Sequence, residues 1–426
     1  MESRIKRFFK QLGPGLITGA ADDDPSGITT YSQSGAQFGF GQLWSALYQL
    51  PLLIAIQEAC ARIGAVTGKG LAGVIKDNYT KKVLAFVVIL VAVANMINIG
   101  ADIGAVVSSL QLIVNIPFII LAMAMSALII ILQVKVSYKD YVGILKWLTL
   151  ALLAYPLTAL MIHAPWAEIF RATIFPDIHF NFEYFFIITA VFGTTITPYM
   201  FFWDSSTQVE EEDYDHIKIG ADNKPQITKQ FLSNLRNDNT IGMLASQVTQ
   251  WFIVIVTASV LFRNGIHNIG TASDAAKALE PLMTSIGAPG SLAKYLFALG
   301  VVGLGLLGIP VLAGSAGYAV SEAMGWKVGL AKKFDEAKAF YMIIIGSIIC
   351  GLILNFIGIN PIKALVYASV FNGLAAVPLI FIIAKINSNK RILGEHSGSA
   401  LSRIFVWLTF VVMLLSAIGL FYTLWH

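Results

Sequence analysis

Nine stretches of about 18 or more apolar residues recur along this chain, near 43–65, 83–110, 117–135, 141–162, 240–262, 292–316, 339–358, 362–384 and 402–425. A helix needs about 20 such residues to cross the hydrocarbon core of a bilayer, and a crossing helix satisfies its own backbone hydrogen bonds there. Two further stretches are apolar but interrupted: 13–39 by DDDPSG at 22–27, and 185–203 by GTTITPY around Thr194 to Tyr199. Counting both predicts eleven transmembrane helices, an all-α polytopic membrane protein formed as one domain over 1–426. Composition agrees. Only 13% of the 426 residues are charged, against about 25% in a soluble domain, so no large soluble catalytic domain is left over. The sequence also shows no Ser/His/Asp set, no HExxH and no P-loop, and an enzyme is not expected.

Basic residues test the span count. With a cytoplasmic N-terminus and eleven crossings, the outer side keeps Arg171, Arg263, Lys277, Lys294 and Lys363, and the other 24 of the 29 Lys and Arg fall on or beside cytoplasmic segments. That is the positive-inside pattern. It places the C-terminus outside, and it fails if the interrupted first segment does not cross. The net charge of +4 therefore reads as orientation rather than nucleic-acid binding. Cys60 and Cys350 lie inside apolar stretches and give no disulfide framework or metal cluster. Arg4, Lys6, Arg7 and Lys10 precede Pro14, Gly15 and three aspartates, a poor signal-peptide core.

The interrupted segments are spans 1 and 6, five apart. A five-helix unit inverts its second copy in the membrane, and paired Gly/Pro-broken spans at matching places in two halves point to a transporter's midplane site. The expected division is a first repeat over 13–163 (spans 1–5), an inverted second repeat over 184–385 (spans 6–10) and an additional span over 400–425. The plainer alternative is that Pro25 and Pro198 only kink two ordinary helices.

An unwound helix frees backbone carbonyls, and the half-helix C-terminus adds partial negative charge, which suits a cation. The first break holds Asp22, Asp23 and Asp24. Asp24 stands before Pro25, where the backbone leaves helical geometry, and is the best ligand candidate; Asp22 and Asp23 are ligands or the lining of a hydrated vestibule. The second break offers Thr194, Thr195, Thr197 and Tyr199 but no Cys, Met or His over 195–199. Oxygen-only donors favour hard cations, and one carboxylate among neutral oxygens suits magnesium, which keeps several of its waters. Each threonine has the alternative of bonding back to its own helix. Glu58 and Asp102 are the other acids within spans, and with Asp22, Asp23, Asn98, Thr195 and Tyr199 they are candidates for a vestibule or ion pathway. Asp102 with Asn95 and Asn98 makes a polar stripe on span 3, either a water path or interhelical hydrogen bonding. The six histidines fall in loops or at span ends, so no histidine relay crosses the core. The acidic run at 210–213 is either a cation-concentrating patch or a solvated loop. Span 8 carries five glycines between 303 and 317, which allow close packing or hinge motion.

GPG at 13–15, DPSG at 24–27, GAQFGFGQLW at 35–44 and IQEACARIGAVTGKGLAGVI at 56–75 resemble the first two spans of the Nramp divalent-metal transporters. The resemblance implies an inverted-repeat fold like that of sodium-coupled amino-acid transporters, and carriage of manganese and iron(II) with protons. It also exposes departures. Gly27 stands where the family's DPGN motif places an Asn ligand, and Thr197, Pro198 and Tyr199 replace its MPH. Thr194 stands where a small residue offers its carbonyl. Of the acidic pair on span 3 only Asp102 remains, with Asn98 and Ile99 near the other position, and no arginine lies between Phe340 and Ile359. Loss of the thioether removes the donor that favours transition metals over magnesium. This pattern is similar to the Nramp-related magnesium branch, and implies uptake of magnesium and manganese across a prokaryotic plasma membrane without evident proton coupling. The ion site then comprises Asp24, Gly27, Thr194 and Thr197. Transported cations and the lipid bilayer are the expected partners, with no cofactor, nucleic acid or obligatory protein partner. A proton-coupled manganese and iron carrier, or a carrier of amino acids on the same scaffold, are the alternative readings.

Overall fold

The computed structural model describes residues 19, 21–136, 152–162, 164–214 and 225–425, with the side chains of 211–214 excepted. Its principal helices are α1 (Pro25–Phe38), α2 (Trp44–Thr67), α3 (Leu71–Asn78), α4 (Lys81–Leu110), α5 (Phe118–Lys135), α6 (Ala154–Met161), α7 (Trp166–Ile174), α8 (Phe182–Thr195), α9 (Pro198–Tyr214), α10 (Lys229–Val260), α11 (Ala293–Met324), α12 (Lys338–Leu354), α13 (Pro361–Asn387) and α14 (Ala400–Trp425). Among the described residues nine helical stretches are long and apolar enough to cross a membrane, α8 and α9 counting together as one interrupted stretch. The first half of the segment expected as span 5 lies outside the described residues, as does the start of span 1, so the count of eleven rests on the sequence.

Both expected interruptions are present. Ala21 and Asp22 are helical, Asp23 and Asp24 are not, and α1 starts at Pro25. Asp24 is the N-cap of α1 and Pro25 its first residue, the arrangement that lets proline begin a helix without losing a hydrogen bond. Glycine ends it: Gly39 has φ +59°. The second break is shorter. α8 stops at Thr195, Ile196 and Thr197 are non-helical, and Pro198 opens α9.

Burial sorts the helices into an inner set and a lipid-facing set. In α2, 83% of the most apolar window is buried, whereas in α5 it is 17% and in α12 and α14 33%. Exposed Ile120, Ile131, Ile353, Leu415 and Phe421 are what a lipid-facing helix should show. Without a hydrophobic effect between helices in lipid, close approach depends on small residues, and glycines mark the crossings. A Cβ at Gly19 would stand 2.4 Å from the Gly242 carbonyl oxygen, and one at Gly64 2.1 Å from that of Ser205. The Gly193–Ser369 and Gly100–Gly351 approaches are alike, at 2.0 and 2.9 Å to the facing carbonyl oxygen. The contacts also pair the two halves: α1 packs on α10, and α9 packs on α2. Each broken span thus leans on the helix that follows the other break, and the two breaks are held against each other.

Candidate functional site

Asp24 sits at the junction of three spans. Its Oδ1 accepts hydrogen bonds from the Ser26 hydroxyl (2.5 Å) and the Gly27 amide (2.9 Å), and its Oδ2 accepts from Asn98 Nδ2 on α4 (3.2 Å). Asn98 is held in turn by Asn372 of α13, whose Nδ2 donates to Asn98 Oδ1 at 3.3 Å. All are buried; Asp24 is 2% exposed. An ionised aspartate in mid-membrane costs about 2.5–3.5 kcal/mol, while each hydrogen bond to a charged group contributes about 1.5–3 kcal/mol. Three such bonds offset much of that penalty and place a well-coordinated carboxylate where the membrane otherwise excludes one. One of the three, from the Gly27 amide, also caps α1, so the same residue starts the helix and places a carboxylate at the break.

Hydroxyl pairs join the two breaks. Ser26 Oγ lies 2.9 Å from Thr194 Oγ1, and Tyr31 Oη lies 2.9 Å from Thr195 Oγ1. Thr195 also donates back to the Val191 carbonyl at 2.8 Å, the local bonding expected of a helical threonine. The Tyr199 hydroxyl donates to the Ala21 carbonyl at 2.9 Å and the Tyr199 carbonyl accepts from Ser315 at 2.7 Å. Tyr199 thus occupies a carbonyl freed by the first break. Thr197 differs from its neighbours: its hydroxyl is buried without a hydrogen-bond partner. Gly27 borders Asp22, Tyr31 and Thr194, where a Cβ would meet the Asp22 carbonyl oxygen at 3.2 Å and Thr194 Oγ1 at 3.7 Å. The space beside Gly27 is bounded by those three residues. On the far side a Cβ at Gly308 of α11 would come within 3.0 Å of Asp24 Cβ; glycine lets that helix approach the carboxylate.

The polar stripe on α4 resolves residue by residue. Asn95 donates to the Leu312 carbonyl of α11 at 3.0 Å, which is interhelical bonding. Asn98 faces Asp24. Asp102 is fully buried, and neither of its carboxylate oxygens closes a hydrogen bond. Asp22 and Asp23 both turn to Ser246 of α10, with the hydroxyl 2.5 Å from Asp22 Oδ2 and 3.3 Å from Asp23 Oδ1. Glu58 lies elsewhere. It pairs with Arg62, Arg62 donates to Asn387, and Ser402 donates to Glu58; that cluster joins α2, α13 and α14 rather than the breaks.

The sequence reading missed Ser26, Tyr31, Ser246, Ser315 and Asn372. Ser26 was visible inside the DPSG motif, and Asn372 was an amide within an apolar span. Ser246 had no signal, because its partners come from 224 and 223 residues away in sequence. Among the described residues no group of three or more His, Cys, Asp or Glu gathers as a closed metal centre. A cation at the breaks would meet one hydrogen-bonded carboxylate, hydroxyls and backbone carbonyls, with water completing its shell.

Comparison with known proteins follows the same lines. The divalent metal cation transporter MntH of Caldanaerobacter subterraneus subsp. tengcongensis is 25% identical over 99% of this chain and 94% of its own length. MntH of Listeria monocytogenes is 26% identical, covering 99% and 91%. The Eremococcus coleocola manganese transporter superposes with a TM-score of 0.74 at 16% identity, covering 99% of this chain and 88% of that one. Mhp1, a nucleobase-cation-symport-1 family transporter, follows with a TM-score of 0.57 at 11% identity, covering 97% and 91%. These last two establish a shared transporter fold. The profile of the natural resistance-associated macrophage protein-like family matches residues 15–423, and the chain, a multi-pass membrane protein, belongs to that family, Nramp.

Proposed function

We propose that this protein takes up divalent cations, magnesium and manganese, across the plasma membrane by alternating access and without proton coupling. In this reading Asp24 supplies the charge, Gly27, Thr194 and Thr197 shape the site, and the ion keeps part of its water shell. Eleven spans arranged as two inverted repeats rock about the breaks, with the N-terminus cytoplasmic and the C-terminus outside. Support for a divalent cation comes from relatives named divalent metal cation transporters and a neighbour described as a manganese transporter.

The observation that carries the magnesium reading is the donor set. The Asp24 carboxylate and the hydroxyls of Ser26, Tyr31, Thr194 and Thr195 that meet at the breaks offer oxygen, a threonine hydroxyl at 197 is left over, and 195–199 holds no Cys, Met or His. Hard cations accept such donors, and among them the one that dehydrates most reluctantly favours a site with few charged ligands. One observation favours the alternative of a proton-coupled manganese and iron carrier: Asp102 is a buried carboxylate with both oxygens unmet. The test of the assignment is Asp24→Ala in proteoliposomes. Magnesium influx is expected to fall to the level of protein-free vesicles, and influx equal to wild type would remove Asp24 from the site.

A further inference from the structure

Beside the Asp24 site lies a polar region that the account so far leaves unused. The close crossing of Gly19 and Gly242 brings span 1 against α10, and one turn further along each helix Asp22 and Asp23 reach the same residue, Ser246. Their exposures are 0% and 3%. A serine hydroxyl has one proton to donate, so it can satisfy one of these carboxylates but not both. Asp22 Oδ1 is buried with no partner at all. Among the described residues no lysine or arginine pairs with either acid. Two carboxylates held this close in a low-dielectric interior are neutralised by a proton or by a cation between them.

More unmet oxygens lie level with this pair. Two contacts fix the register of α2 against α10: Gln250 Nε2 donates to Ser45 Oγ at 3.0 Å, and Ala61 and Ala65 pack with Leu235. The helices run antiparallel, so this register sets Gln49 level with Ser246 and Gln247, and Gln57 level with Asn239. Gln49, Gln57 and Gln247 are each 3% exposed or less, and both polar atoms of each side chain lack a partner. Gln250 Oε1 and Asn239 Oδ1 are also unmet. Buried amides are nearly always hydrogen-bonded, and a run of unmet ones beside a carboxylate pair is what a hydrated ion and its waters would satisfy.

We infer that Asp22, Asp23 and Ser246, with the amide oxygens of Gln49 and Gln247 reached through water, form a second divalent-cation site between span 1, α2 and α10, separate from the Asp24 site. Two carboxylates, a hydroxyl and amide oxygens are a hard-cation donor set. From the proposed function this takes only that the protein meets divalent cations. Because Asp22 and Asp24 are two residues apart, their Cα atoms lie within about 7 Å, and ions in both sites would be near neighbours.

The test uses Mn2+ as a paramagnetic probe on the full chain in lipid nanodiscs. Titration followed by electron paramagnetic resonance is expected to give two Mn2+ per chain, with dipolar broadening as the second binds and loss of both signals on adding Mg2+. Asp22→Asn with Asp23→Asn, which keeps the shape of both side chains, should reduce the stoichiometry to one and abolish the broadening. Asp24→Ala should also leave one. Ser246→Ala serves where the double variant fails to elute as a folded chain, with the affinity of the second site expected to fall about tenfold. A wild-type stoichiometry of one with an unbroadened spectrum at saturation overturns the second site and leaves the Asp24 assignment standing. Two ions retained by the double variant overturn it as well, as does proton binding by the acid pair with no Mn2+ bound there. Absence of any Mn2+ binding by wild type overturns both this inference and the proposed function.

Discussion

At the first break the one committed carboxylate, Asp24, already receives three hydrogen bonds, whereas at the second the Thr197 hydroxyl is buried with none. The first break carries a preorganised carboxylate; the second offers only neutral oxygens and holds one hydroxyl in reserve. Preorganised charge costs no rearrangement when an ion arrives, and an unspent oxygen opposite it lets the ion complete its shell without stripping the protein's own bonds. The difference assigns separate duties. In the proposed function, affinity is assigned to span 1 and the choice among divalent ions to span 6.

Four substitutions test that division, taken from the largest expected effect to the smallest. Asp24→Asn keeps the shape and the capping oxygen but removes the charge. Magnesium binding measured by calorimetry should weaken about 100-fold, the equivalent of some 2.7 kcal/mol; a change under threefold would mean the charge of the first break does not set affinity. Thr197→Met supplies a soft donor at the second break. The ratio of manganese to magnesium affinity should rise about tenfold, and an unchanged ratio with weaker binding of both ions would show that span 6 does not select. Gly308→Ala places a methyl 3.0 Å from Asp24 Cβ. Displacing the carboxylate should slow uptake of both ions about fivefold, within the 1–3 kcal/mol range of overpacking, with their ratio unchanged. Asn372→Ala removes only the outer member of the amide chain behind Asp24. Loss of one neutral hydrogen bond of about 1 kcal/mol should weaken magnesium binding two- to threefold, and an effect as large as that of Asp24→Asn would place Asn372 on the ion itself.

Legibility in the sequence followed the range of the interactions. The breaks were legible because proline and glycine act on their own backbone: Pro25 and Pro198 each begin a half-helix. Asp24 was legible because its place before proline fixes its geometry, and Thr195 behaved as a helical threonine does on its own. Contacts between distant spans were not. Ser246, Asn372 and Ser315 reach the breaks only once α10, α13 and α11 are packed around them. Glu58 shows the converse. Its position within a span suggested the ion pathway, but Arg62 one turn away neutralises it locally, and a local pair is a sufficient reason for a buried acid. The polar stripe on α4 could not be divided in advance, because Asn95 and Asn98 differ only in which helix each faces.

Transport without protons is the central claim, and the most direct measurement is magnesium influx into proteoliposomes with equal pH on both sides, followed together with a luminal pH dye. The account predicts influx down the magnesium gradient at the same rate with or without a pH gradient, and no acidification of the lumen. Luminal acidification that scales with magnesium entry, or influx that depends on an inward proton gradient, would contradict it.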